Sequence, residues 1–398
     1  MTTLTVEDLK KSPNPLARHY SKFRVAERLL LTGHSHQAWP DVAFEGHVEA
    51  WNDAATHVDE KWPRAAEKAE RVRRGYSKLL GDRDGTIALA QGTHDLLVKF
   101  LSALPLRERP RLVTTDGEFH AIRRQLDRIA EEGIEVVKVS VQPASAVAER
   151  LVAATDSRTA AVLASSVLYA NAHIVPGLRS VLEHCRRVGA ELLVDAYHQL
   201  NVLPCALERD GLADAFVTGG GYKYCQLGEG NAFLREPPGR RLRPIVTGWF
   251  SEFAHLSERV TGKVAYGEGS ARWAGATYDP TSNYRAARVF DFFEANGLTP
   301  ERLRETYAHQ ISLLAEQFDA LDLDPGLITR DRSVPLASIG GFLALTSPRS
   351  AEIAKGLRSR GVLIDIRGNT LRLGPAPYIS DGQLHAAMEA LAEAARSL

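Results

Sequence analysis

The chain has 398 residues, 44% hydrophobic and 25% charged, which suits a folded globular protein with two domains or one large α/β domain plus an appendage. Lys plus Arg and Asp plus Glu both number 49, so the net charge is zero and no electrostatic footprint for nucleic acid or an acidic membrane is expected. Three scattered cysteines, Cys185, Cys205 and Cys225, argue against a disulfide framework or a metal site, and no apolar run reaches membrane-spanning or signal-peptide length, so the expected setting is the cytoplasm.

Up to about residue 40, Pro13, Pro15 and Pro40 mark an extended arm with short structured pieces. Residues 41 to 80 carry a helical period with a break near Trp62-Pro63. Strands and helices then alternate. The expected order is a strand at Thr86–Leu89, a helix at Thr93–Leu104, a strand at Arg111–Thr115 and a helix at Phe119–Glu131. A strand at Glu135–Val139, a helix over 144–154, a strand at Thr159–Ser165 and a helix at Leu178–Val188 follow. Glu191–Asp195, Ala215–Thr218 and Asn231–Leu234 read as three further strands. Such alternation predicts a largely parallel sheet covered by helices on both faces, with ligands beyond the carboxyl ends of its strands. After Pro280 the pattern becomes α+β. A helical stretch over 282–320 is interrupted at Gly297-Leu298-Thr299-Pro300, and a strand at Gly341–Leu345 and a helix over 348–359 come next. Then Val362–Asp365 and Thr370–Leu373 flank a Gly368-Asn369 turn as a hairpin, and a helix over 381–398 closes the chain.

Two residues at strand ends carry chemistry. Asp195 closes the apolar run Leu192-Leu193-Val194, and Lys223 follows the glycines of Gly219-Gly220-Gly221-Tyr222. A lysine amine that can condense with an aldehyde, and a carboxylate that can keep a pyridine nitrogen protonated, are what pyridoxal 5'-phosphate (PLP) requires. Lys223 would also move protons once freed by substrate. Gly92-Thr93 opens a helix whose free amides and dipole suit a phosphate, although a plain Thr at a helix start is common. Phe119 and His120 place rings at a helix start after a strand, where plain packing is the ordinary reading. His198 lies three residues past Asp195, and Arg372 sits in a strand, where it is a two-pronged carboxylate ligand or a solvated side chain.

Taken together, these residues resemble fold-type I PLP enzymes, and within them the kynureninases and other members of the class V aminotransferase superfamily. The resemblance runs from about Leu30 to Pro377. It rests on collinear segments: Leu29-Leu30-Leu31-Thr32-Gly33-His34-Ser35, Thr93-His94-Asp95-Leu96-Leu97, Asp195-Ala196-Tyr197-His198, Tyr222-Lys223-Tyr224, Gly248-Trp249-Phe250, and Arg360-Gly361-Val362 followed by Leu371 to Pro377. The resemblance implies a large domain with a mostly parallel seven-stranded sheet between helices over 51–280, a smaller α+β domain over 281–398, and an arm over 1–50 associated with the latter. It implies a homodimer with the active site at the subunit interface, an amino-acid substrate and PLP as cofactor.

Residue by residue, the resemblance implies that Lys223, Tyr222 and Asp195 are catalytic. Gly92, Thr93, Phe119, Asp195, His198, Tyr222, Lys223, Trp249 and Thr277 would hold PLP, with Thr277 and Trp249 reaching across the dimer. Arg372 would hold the substrate carboxylate, and His34, His57 and Trp249 would meet the rest of the substrate. The implied reaction is hydrolysis of the Cβ–Cγ bond of L-kynurenine or its 3-hydroxy analogue. The alternatives are an aminotransferase, a cysteine desulfurase-like lyase, for which none of the three cysteines is well placed, or a non-catalytic PLP-fold binding protein.

Overall fold

A computed structural model describes residues 4–257 and 262–398. Seven strands form the main sheet: β2 (Thr86–Ala90), β3 (Arg111–Thr115), β4 (Glu135–Val139), β5 (Thr159–Ser165), β6 (Glu191–Asp195), β7 (Phe216–Gly220) and β8 (Ala232–Glu236). Their spatial order is β2-β8-β7-β6-β5-β3-β4. All the pairs from β7 to β4 are parallel, while β8 runs antiparallel to both of its neighbours. The central strands show why: β5, with the sequence TAAVLAS, is buried at every position, as a strand covered on both faces must be.

Register at the carboxyl end is what prepares a site. Ser165 pairs with Asp195, and Asp195 pairs with Thr218. The last residues of β5 and β6 therefore lie side by side, next to the middle of β7, and β7 runs two residues further before the turn to Lys223. Gly219 and Gly220 belong to β7 itself, so the turn before Lys223 is shorter than the glycine run implies. A Cβ on Gly220 would come 2.2 Å from the Tyr197 hydroxyl. Glycine is required there so that this ring can lie against the strand.

A second, antiparallel sheet has the order β12-β13-β10-β9, built from β9 (Thr329–Arg330), β10 (Leu343–Thr346), β12 (Asp365–Arg367) and β13 (Thr370–Leu373). The predicted first hairpin strand is divided. Its start, β11 (Val362–Leu363), pairs in parallel with β1 (Leu29–Leu30), and only Asp365–Arg367 pairs with β13. Helices Pro300–Ala320, Ser350–Ser359 and Asp381–Arg396 accompany this sheet. The interruption read at 297–300 is a helix junction. Gly297 takes a positive φ of 63°, Thr299 caps the next helix through Arg302 N, and Pro300 occupies its first turn. Helix Val42–His57 packs on helix Thr281–Ala295 so closely that a Cβ on Gly46 would lie 2.7 Å from Arg285 Cα.

Candidate active site

Lys223 lies just past β7 and is 6% exposed. Its Nζ is 2.8 Å from Nε2 of His198, whose Nδ1 is 3.2 Å from the Tyr224 hydroxyl. Three rings surround the amine, with centroids at 4.7 Å for Tyr197, 5.2 Å for Phe119 and 5.8 Å for Tyr222. Burial lowers the lysine pKa to about 7 against the upward pull of Asp195, so a large fraction is neutral and nucleophilic near neutrality. Burial, with the neighbouring Lys223 charge second, holds His198 well below its ordinary value and keeps it a neutral hydrogen-bond partner.

Asp195, at the end of β6, is buried. Its side chain accepts one hydrogen bond, from Tyr197 N to Oδ1 at 2.8 Å, and burial raises its pKa. A second buried acid stands nearby. Glu118 accepts from Thr115 Oγ1 at 2.6 Å and from the Ser165 amide and hydroxyl at 3.1 and 2.6 Å, and burial raises it to about 7. Phe119 is the N-cap of helix His120–Ala130 and faces Lys223, whereas His120 begins the helix and is exposed. Helix Thr93–Ser102 starts behind Gly92 with no side-chain cap, and a Cβ on Gly92 would meet nothing within 4 Å. No side chain caps its first amides, which leaves them available to an anion.

The small sheet adds cations. Arg372 is 3% exposed, which removes the solvated-arginine reading. It donates to Tyr169 O at 2.7 Å and is ion-paired with Asp365. His34 is fully buried, with Nε2 3.6 Å from Asp365 Oδ2 and its ring against Phe342. Burial lowers its pKa to about 4, so it is neutral. Trp249 and Thr277 stand apart from Lys223. They line a cavity of about 1110 Å³ together with Trp62, His94, Phe250 and Tyr278. His57 ends helix Val42–His57, and among the described residues no hydrogen bond, ion pair or ring contact joins it to the Lys223 group. Glu118, Tyr197, Tyr224 and Asp365 are members of the site to which the motifs assigned no role.

The arrangement fits PLP: a buried lysine with a lowered pKa, a carboxylate on the adjacent strand, flanking rings, and an uncapped helix end. No family model matches the chain. It is 23% identical over 351 residues to an uncharacterised aminotransferase, YcbU, of Bacillus subtilis strain 168, covering 87% of this chain and 89% of that protein. It is 26% identical over 369 residues to the kynureninase of Pseudomonas fluorescens, covering 87% and 82%. Among solved structures, a lysine-to-alanine mutant of C-DES with glycine covalently linked to its PLP cofactor superposes with a TM-score of 0.82 at 15% identity, covering 95% of this chain and 99% of that one. The apo cysteine desulfurase of Thermococcus onnurineus NA1 gives 0.79 at 16% identity, covering 97% and 98%. The fold is thus the α/β fold of the C-DES and cysteine desulfurase structures, with a mostly parallel central sheet, consistent with fold-type I.

Proposed function

We propose that the protein is a PLP-dependent enzyme of the kynureninase type, adding water across the Cβ–Cγ bond of L-kynurenine or 3-hydroxy-L-kynurenine to give anthranilate or its 3-hydroxy form and L-alanine. In this reading Lys223 would hold PLP, Asp195 would keep its ring nitrogen protonated, and Phe119 would supply the ring that packs on it. His198 orients the lysine side, while the helix start at Gly92-Thr93, with Tyr222, takes the phosphate. PLP, when bound, supplies the electron sink for bond breaking. Lys223 Nζ, whose pKa burial lowers to about 7, takes and returns the substrate protons. The Tyr222 hydroxyl, half-buried at the mouth beside the His36 ring, holds or gives a proton at the carbonyl undergoing attack. Arg372 orients the α-carboxylate. The protein acts as a homodimer in which Trp249 and Thr277, both exposed on the single chain, complete the partner's site, with His34 and His57 bounding the substrate.

The observation that carries this reading is the buried Lys223 amine, held by His198 and ringed by three aromatics beside Asp195. Similarity to a kynureninase along 87% of the chain supports the choice of reaction. The test adds PLP to the purified protein, reduces it with borohydride, maps the labelled peptide, and assays kynurenine. Label on Lys223 and equal release of anthranilate and alanine, with no oxo acid required, are expected. Lys223→Ala should lower turnover roughly a thousandfold or more.

A second reading, aminotransfer, is favoured by the likeness to YcbU over 89% of that protein. Product formation that depends on an added oxo acid would establish it instead. A desulfurase reading lacks a nucleophile: burial pushes the thiols of Cys185, Cys205 and Cys225 up to about 12.

A further inference from the structure

Arg372 already has a carboxylate. β12 and β13 pair antiparallel with Asp365 directly opposite Arg372, which puts both side chains on one face. Asp365 Oδ2 binds Arg372 Nη2, and Oδ1 lies 2.7 Å from Arg367 Nη1. One acid therefore bridges two guanidinium groups, one buried and one with its side chain 49% exposed. Arg372 Nη1 is occupied by Tyr169 O, while its Nε is buried without a hydrogen-bond partner.

We propose that Asp365 is a specificity-determining residue, an internal stand-in for the substrate carboxylate. The incoming α-carboxylate takes the Nε–Nη2 edge of Arg372, and Asp365 passes to Arg367. This rests on the amino-acid reading of the site given above. The exchange is physically cheap. One charge-assisted pair replaces another, and in neither state is a buried guanidinium left without a counter-charge. The arginine then orients the substrate but adds little net affinity, because its bond to Asp365 is lost as the new one forms. Binding must come from the side chain of the substrate, so the site favours amino acids with large side chains and rejects small ones.

The test uses the PLP-loaded protein and calorimetric titration with L-alanine and with L-alaninamide, which lacks the carboxylate. Asp365→Asn should bind L-alanine roughly fivefold or more tightly than the wild type and leave L-alaninamide unchanged. The gain should vanish when Arg372→Gln is added. Equal or weaker L-alanine binding by Asp365→Asn would mean that the acid merely braces the arginine, and would overturn the proposal. An equal gain for L-alaninamide, or a gain that survives Arg372→Gln, would also overturn it. Asp365→Ser, smaller and equally uncharged, repeats the measurement if the asparagine variant fails to fold. A wild-type chain that takes up no PLP overturns both this inference and the functional reading; one that takes it up without the expected tightening overturns this inference alone.

Discussion

Glu118 follows β3, is 2% exposed, and has three hydrogen-bond donors around its carboxyl. Burial outweighs those donors and raises its pKa to about 7 from 4.5, and Asp195 nearby pushes the same way. The folded chain therefore keeps a proton that the unfolded chain gives up earlier. The stability this contributes is full below the unfolded value and is lost as pH rises through about 7. Lys223 acts in the opposite sense at higher pH. Its lowered pKa makes stability climb between about 7 and 10.5, where the unfolded chain still binds the proton. Glu118→Gln removes the first effect and leaves the second. The Tm of the variant, relative to the wild type, should rise by a few degrees (~3 °C) between about pH 5 and about pH 8. A difference that stays flat across that range would refute the buried-acid assignment. Lys223 and Asp195 were legible in the sequence because one chemistry demands both. Glu118 and Asp365 were not, because their contacts arise from register. Glu118 meets Ser165 across 47 positions, and Asp365 meets Arg372 only because β12 and β13 pair at that step. No local pattern encodes either.

Among the elements, the alternating apolar strands and amphipathic helices were readable nearly to their ends, since each carries its own period and its own stop. The main-sheet strand starting at Arg111, the one at Glu135 and the one ending at Asp195 fall where the pattern puts them. The two-residue strand β9 was not read, because a run that short carries no period. The hairpin was misdrawn because Val362 to Asp365 reads as one continuous strand in sequence, yet serves two sheets in space. Helix-to-helix distance was likewise hidden. Gly46 reads as a weak helix residue, but it is where helix Val42–His57 touches the backbone of helix Thr281–Ala295. Gly46→Ala improves local helix propensity by about 1 kcal/mol and forces the backbones apart. With a Cβ due at 2.7 Å from Arg285 Cα, the clash should win. A net loss of roughly 1–3 kcal/mol in urea unfolding is expected, and a gain would show that the helices part freely.

For the whole molecule, two stretches gather several exposed apolar side chains each. Phe44, Val48 and Trp51 line one helix face, and Ile245, Val246, Trp249 and Phe253 lie along the segment leading to the large cavity. The proposed dimer covers such surface and exchanges residues between sites. It makes a quantitative prediction. Lys223→Ala and Trp249→Ala chains, each inactive alone, should regain about a quarter of wild-type turnover when unfolded and refolded together in equal amounts. Half of the dimers are then mixed, and one of the two sites in each is intact. No recovery in a mixture that light scattering shows to be dimeric would place Trp249 in the site of its own subunit.

Before β2 is reached, the chain is already committed to a partner it does not yet have. Asn14 donates to Pro377 O, 363 positions away, Gln383 reaches Val25 O and Arg28 O, and Leu29–Leu30 aligns with Val362–Leu363. As the polypeptide emerges from the ribosome, Leu16, Tyr20 and Leu30, all buried in the finished fold, must wait for almost the entire remainder to be translated. Residues made early in this stretch dock late, so these apolar side chains stay open to chaperones and proteases until helix Asp381–Arg396 is made.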